Sequence, residues 1–460
     1  MRSEPREIAS EARDVVPFRR AVRTWFAISL QTFGGPAGQI AVMQRTLVEE
    51  RRWIGQRRFN HALNYCMLLP GPEAQQLAIY IGWLLNGTRG GLVAGTLFVL
   101  PGVLALLALS VLYVGLGSTA AVGALFAGLA PAVLAIVAQA VMRVGRRSLN
   151  RPVLIALACA GFVALAFFAV PFPFVILAAA AVGWLLARLA SRTLPTGTGH
   201  GDGDGGPAPL IADDDLHHEA PTARHALRVL AVGVLLWGLP LLAVATLIGT
   251  DSVLTAQGLF FSGAALVTFG GAYAVLAYVA QQAVEVYGWL SPGEMVRGLA
   301  LAETTPGPLI MVVQFVAFVG AYRDPGALDP WAAGLLGALL TTWVTFVPCF
   351  VFIFLGAPHV ERLRHNQAIS AALTGITAAV VGVIANLALY FALHTLFAST
   401  HLLDWGPFHF QLPDPTTVRP VALVITAAAL VMIFRLRWSM LRTLGACAVL
   451  GLAAALIPTG

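Results

Sequence analysis

Residues 30–44 read LQTFGGPAGQIAVMQ, and residues 266–280 read LVTFGGAYAVLAYVA. The shared TFGG recurs at an offset of 236. The same offset carries Glu49 onto Glu285, Trp53 onto Trp289 and Pro70–Gly71–Pro72 onto Pro306–Gly307–Pro308. Across 30–72 against 266–308 there are 13 identities in 43 ungapped positions. Ungapped agreement in Gly, Pro and Trp does not follow from apolar composition alone, so the chain reads as an internal duplication.

The runs around these motifs are apolar. Of 460 residues, 58% are apolar and 11% charged, with a mean hydropathy of +0.80. A soluble domain carries about 25% charged residues. This excludes a water-soluble enzyme, a nucleic-acid-binding domain and a disordered chain. The net charge is +6, and all 28 basic residues are Arg. In an apolar chain such a bias reads first as orientation. Cys66, Cys159, Cys349 and Cys447 are widely spaced in apolar runs, so neither a disulfide framework nor a zinc site is expected.

A spanning helix needs roughly 20 apolar residues. Thirteen segments qualify, near 20–44, 62–85, 90–116, 119–142, 152–170, 172–190, 226–249, 253–280, 296–322, 331–356, 367–397, 417–434 and 438–458. The expected fold is an all-α polytopic membrane protein. Its segments form two inverted-topology repeats with interrupted or re-entrant helices. The domains are a cytoplasmic N-terminal segment 1–19, a first repeat 20–191, a linker 192–224, a joining helix 225–252 and a second repeat 253–460. The linker is rich in Gly, Pro, Asp and His and reads as a solvated loop. Its His200, His217, His218 and Asp213 to Asp215 show no fixed metal-ligand spacing.

Arg placement gives the orientation. Arg2, Arg6, Arg13, Arg19 and Arg20 precede the first segment. Arg143, Arg146, Arg147 and Arg151, then Arg188 and Arg192, Arg224, Arg362 and Arg364, and Arg435 and Arg437 follow. A cytoplasmic N-terminus puts all of them inside, and an odd joining segment inverts the second copy. The loop 45–58 disagrees, because Arg45, Arg51, Arg52, Arg57 and Arg58 fall outside on simple counting. They stay inside if the two flanking segments dip in and return. Non-helical backbone at membrane depth is tolerated where it is buried or lines a cavity.

Inverted repeats broken at matching places point to a transport site. The breaks are Gly34–Gly35–Pro36, Gly270–Gly271, Pro70–Gly71–Pro72 and Pro306–Gly307–Pro308. A helix restarting after such a break exposes N–H groups and a positive dipole end, which attracts an anion. Four such ends are expected to surround one small oxyanion. Gln39, Gln44, Arg45, Gln75, Gln76, Tyr273, Thr304 and Thr305 lie close by in sequence. Glu73 and Glu303 are the carboxylates placed inside spans. A carboxyl in low dielectric favours its protonated form, which makes both candidate proton carriers. A salt bridge to Arg45, Arg89 or Arg297 is the structural alternative. The Arg residues of 45–58 and Arg297 fit either an electropositive vestibule or lipid-headgroup contacts. No catalytic residue, metal site or cofactor is expected, and no phosphate-binding loop for an ATP-driven pump is present.

FGGPAGQIAVMQ at 33–44, EERRW at 49–53, LLPGPEAQQLA at 68–78, FGGAYAVL at 269–276 and TTPGP at 304–308 resemble the chromate ion transporter family, over nearly the whole chain. The resemblance implies a multi-pass bacterial inner-membrane secondary transporter that exports chromate and confers chromate resistance. Its partners would be chromate or sulfate, protons as a coupling ion, membrane lipid and a second copy in a homodimer, with no nucleic acid. The family's motif residues carry over to Gly34, Gly35, Pro36, Gln39, Pro70, Gly71, Pro72, Glu73 and Gln76. The second half departs from that pattern: Ala272 stands at the place of Pro36 and Leu309 at that of Glu73. Whether the second half contributes to binding is left open. A transporter of sulfate or another anion is the alternative. A chromate reductase would need a redox group, for which the sequence shows no pattern.

Overall fold

The computed structural model describes residues 14–117, 119–189, 210–211, 223–269, 271–356 and 367–456. Gly270, the linker's His and Asp residues, and Arg362 and Arg364 lie outside these residues.

Sixteen α-helices and one β-hairpin make up the described fold. They run α1 (Phe18–Ser29), α2 (Gly35–Gln44), α3 (Gln56–Cys66), α4 (Glu73–Leu116), α5 (Ala120–Ser148), α6 (Pro152–Phe168), α7 (Phe172–Leu189) and α8 (Ala223–Leu247). The second half holds α9 (Val253–Leu266), α10 (Ala272–Gln281), α11 (Pro292–Thr304), α12 (Val312–Arg323), α13 (Pro330–Gly356) and α14 (Gln367–Leu396). The strands β1 (Thr400–Trp405) and β2 (Phe408–Pro413) follow, then α15 (Pro420–Leu430) and α16 (Met440–Ala455). Wide π-type turns extend α2 over Arg45–Glu50, α10 over Gln282–Val286 and α15 over Val431–Arg435.

The first segment is not one spanning helix. α1 has 12 residues, or roughly 18 Å at 1.5 Å per residue, about half a bilayer core. The chain then turns at Gly34 and Gly35, both at positive φ. The turn sends α2 back to where α1 began. The Arg20 guanidinium at the start of α1 lies 6.0 Å from the centroid of the buried Trp53 ring, in the loop after α2. The second segment behaves likewise. α3 enters, the chain breaks at Pro70–Gly71–Pro72, and α4 returns as far as a kink at Asn86 and Gly87. There the Val15 N–H donates to Leu85 O at 3.0 Å, and the Asn86 amide to Val16 O at 2.6 Å. Four of the thirteen expected crossings, segments 1, 2, 8 and 9, are therefore paired half-helices that enter and return. The Arg-rich loop 45–58 stays on the side of the chain's start.

The second half repeats this from the opposite face. α9 and α10 form one returning pair, and α11 and α12 the other. Trp289, the repeat mate of Trp53, is buried against Phe260, Phe261 and Tyr287. Glu294, in the first turn of α11, receives both guanidinium N–H groups of Arg323 at the end of α12. Ser291 and Glu294 also form a capping box, so the feet of this pair are locked together.

Beyond the half-helices the repeat continues at a larger offset. Pro101 inside α4 and Pro348 inside α13 differ by 247, as do the first residues of α5 and α14. The halves are interleaved: α14 packs on α6 and α7, and α5 on α15 and α16. Small residues allow this approach. A Cβ on Gly128 of α5 would stand 3.0 Å from Cα of Gly451, and one on Gly183 of α7 would stand 3.1 Å from Cα of Gly375. The β-hairpin joins α14 to α15 and is fixed to α6 by stacking of Phe410 on Phe167, with centroids 4.8 Å apart. At its base Thr416 donates its hydroxyl and N–H to Asp414, which holds that carboxyl below the usual carboxylate range.

Candidate functional site

The tips of the returning pairs meet at the centre. The Gly71 N–H donates to Thr268 O at 2.8 Å, and the Gly307 N–H donates to Thr32 O at 3.0 Å. These two bonds exchange under the repeat offset, so the halves clasp each other through equivalent atoms. Gly71 sits at φ +124° and Gly307 at φ +102°, backbone that a side chain disfavours. Gln39, 1% exposed, adds an unsymmetric clasp by donating its amide to Gly307 O at 2.5 Å.

Four helical starts line the cavity that results: Pro36 and Gln39 of α2, Pro72, Glu73 and Ala74 of α4, Gly271 and Ala272 of α10, and Pro308 and Leu309 ahead of α12. No side chain caps any of these starts. Their N–H groups and positive dipole ends therefore face a shared space. Its volume is about 10 Å³, near that of a single water position and far below five heavy atoms. The tips must part before a tetrahedral anion can enter.

Close in sequence to the residues that line the cavity are polar atoms without partners. Gln75 is fully buried, with neither amide atom hydrogen-bonded. Gln76 donates to Pro70 O at 2.7 Å, while its own oxygen has no partner. Glu303, 2% exposed, accepts from the Tyr273 hydroxyl at 2.7 Å through one oxygen and leaves the other unmatched. Glu73 makes no hydrogen bond or ion pair among the described residues. Native structures leave few such groups, and a cluster of them marks a place where a ligand or proton acts.

Several expectations change here. The salt-bridge alternative for the two carboxylates does not hold: Arg45 pairs with Glu50 at 3.4 Å, Arg297 donates to Tyr113, and Arg89 is exposed. The charge facing Glu303 and Tyr273 is Arg143, on α5. In the sequence Arg143 carries only an orientation signal. Thr304 and Thr305 donate to Leu301 O and Ala302 O in their own helix. Gln44 and Arg45 stand at the outer end of α2, bonded to Gln56 and Gln31. Ala272 and Leu309, where the second half departs from the first, line the cavity itself. The second half thus lines the cavity with helix starts, and its polar pair, Glu303 and Tyr273, stands behind that lining.

The profile of the chromate transporter family matches residues 19–184 and 255–452. The chain belongs to the chromate transporter family. A chromate transport protein of Pseudomonas aeruginosa is 35% identical over 366 residues, covering 77% of this chain and 76% of its own. One from Cupriavidus metallidurans is 29% identical over 368 residues, covering 80% of each. A probable chromate transport protein of Synechococcus elongatus is 27% identical over 360 residues, covering 77% of this chain and 79% of its own. No solved structure matches. The two matched stretches leave out the linker and α8. They include every returning half-helix pair of this family member.

Proposed function

We propose that this chain is a secondary transporter of the bacterial inner membrane that exports chromate from the cytoplasm, is driven by an ion gradient and confers chromate resistance. The observation that carries the proposal is the convergence of four uncapped helix starts on one cavity, in a family whose named members transport chromate. A dianion is the ligand such dipole ends hold best. The Arg clusters favour a cytoplasmic start of the chain, and in that orientation the open, basic face of α2 and α5 meets cytoplasmic anion first. Two negative charges leaving an inside-negative cell gain about 4.6 kcal/mol per 100 mV, which favours export. Glu73 and Glu303 are the proton carriers in this reading. An ionised carboxylate at the cavity repels the anion, so its protonation and anion occupancy are linked.

Chromate uptake by everted vesicles, with and without a proton gradient, tests the proposal. Gradient-dependent uptake that disappears with Glu73→Ala is expected. No flux of chromate under any ion gradient refutes it. Sulfate has the same charge and shape, and flux of sulfate in preference to chromate establishes the alternative substrate.

A further inference from the structure

A second cavity of about 140 Å³ lies at the far face, between α10, α14, the end of α6 and the β-hairpin. Its polar lining is Gln281, Glu285, Asn386, Tyr390, His409 and Gln411. The Tyr390 hydroxyl and the Gln411 side-chain oxygen are buried there without partners. Glu285 stands beside Gln281. The hairpin roofs the space with Leu402, His409, Phe410 and Gln411.

Repeat symmetry gives this cavity a counterpart. An offset of 236 takes Gln281 to Arg45 and Glu285 to Glu49. An offset of 247 takes Asn386 to Gln139 and Tyr390 to Arg143. These mates stand on the outer half of α2 and on α5, at the cytoplasmic side of the proposed path. There the two walls are apart. α10 packs on α14, and α11 on α5 and α14, whereas α2 and α3 make no packing of comparable extent on α5 or α14. The faces differ accordingly. Gln56, Asn60, Asn64 and Arg45 are exposed, whereas Val296 and Ala300, the mates of Asn60 and Asn64, are buried. One side is an open vestibule, and its symmetry mate is shut down to a small roofed cavity.

We infer that the roofed cavity is the exit vestibule of the anion path in its closed form, with the β-hairpin as its lid. The inference rests on the transport reading above. It adds a second, weaker oxyanion station. Where the entry side carries the cations Arg45 and Arg143, the exit side carries the neutral Gln281 and Tyr390. An acidic residue stands on each side, Glu285 here and Glu49 at the entry. Amide and hydroxyl donors can hold an oxyanion briefly, and the missing positive charge favours release. A partly exposed stripe of α10, Tyr273, Ala277 and Gln281, runs from the helix start at the central cavity toward this one.

Site-directed labelling tests this. The background is Cys159→Ala, since Cys159 is the exposed native thiol and Cys66, Cys349 and Cys447 are buried. Gln281→Cys, Ala277→Cys and, at the hairpin tip, Trp405→Cys are each placed in proteoliposomes loaded with chromate. A membrane-impermeant maleimide is then added outside. The expected result is labelling of both cavity cysteines, faster during turnover, with loss of chromate efflux in the labelled carriers. Trp405→Cys, exposed on the hairpin, is labelled at the same rate with and without turnover and so controls for access of the reagent. Cavity cysteines that label fully with efflux intact, or that stay unlabelled while efflux proceeds, overturn the inference. If the unlabelled parent moves no chromate, the transport reading fails instead. The cavity is then judged by whether external chromate slows labelling of Gln281→Cys at equilibrium, and labelling that chromate does not slow overturns it.

Discussion

Replacing Gly71 and Gly307 by alanine should have unequal effects, although the two residues are repeat mates. Both sit at positive φ, where a Cβ costs about 1–2 kcal/mol. At Gly307 the nearest atom to an added Cβ is Gly102 Cα at 3.4 Å, an ordinary contact. At Gly71 the added Cβ would stand 2.9 Å from Cys349 Sγ and 2.8 Å from Gln76 Nε2. The Gln76 amide is already bonded to Pro70 O, and Cys349 is fixed in α13. Neither yields freely, so overpacking adds about 1–3 kcal/mol at Gly71. Cys349 is the repeat mate of Gly102, which explains the asymmetry: one half has sulfur where the other has hydrogen. Cys349→Ala should therefore restore part of that loss, about 1 kcal/mol, to Gly71→Ala, since the Gln76 contact remains, and nothing to Gly307→Ala. Unfolding in graded detergent mixtures gives the four stabilities, and chromate flux in proteoliposomes shows whether the clasp survives. Equal losses at the two glycines, with no selective recovery by Cys349→Ala, would refute the reasoning.

Glu73→Gln should flatten the pH dependence of oxyanion binding. In the parent, binding weakens as rising pH ionises Glu73, whose repulsion of a dianion about 5 Å away is several kcal/mol at an effective dielectric near 20. Equilibrium binding of sulfate over a pH series checks this, and an unchanged slope in the variant counts against it. Arg143→Ala should raise the half-saturating chromate concentration on the cytoplasmic side about two- to fivefold, as the loss of one solvent-facing charge does. Unaltered saturation in everted vesicles would remove Arg143 from the path. Arg323→Ala should destabilise the protein by about 1–3 kcal/mol, because it strips two hydrogen bonds from the poorly exposed Glu294. Arg45→Ala, whose Glu50 pair is open to solvent on both sides, should leave melting unchanged.

The central site was legible because its signal is local. A Gly or Pro that breaks a helix does so wherever the helix lies, and the duplicated FGG and PGP motifs marked both pairs of tips. The partners across the centre were not legible. That Gln39 meets Gly307 O, or that Gly71 meets Thr268 O, depends on how two inverted halves dock. Arg143 was missed for a related reason. The loop between α12 and α13 shifts the repeat from an offset of 236 to one of 247, so ungapped comparison stops before α5 and α14 come into register. Without that register, Arg143 and Tyr390 do not appear as mates. The β-hairpin did carry a signal, the short Gly406–Pro407 turn between THLLDW and FHFQLP. A search for apolar runs treats such a segment as the loop between them.

α8 lies between the two stretches that the family profile matches. Of its 25 residues, Gly233 is the one that is buried, and Leu227, Leu235 and Leu242 are each more than half exposed. It leans on α13 through the Trp343 indole, which donates to Leu236 O at 2.7 Å. With the half-helix pairs returning, each repeat contributes an even number of crossings. Two even blocks fused directly would insert the same way up, and the reciprocal bonds of Gly71 and Gly307 could not form. The contribution of α8 is thus parity rather than packing. Most of its sequence should be exchangeable for any other single apolar span, whereas an exchange for two spans, or for none, would leave a chain whose halves can never clasp.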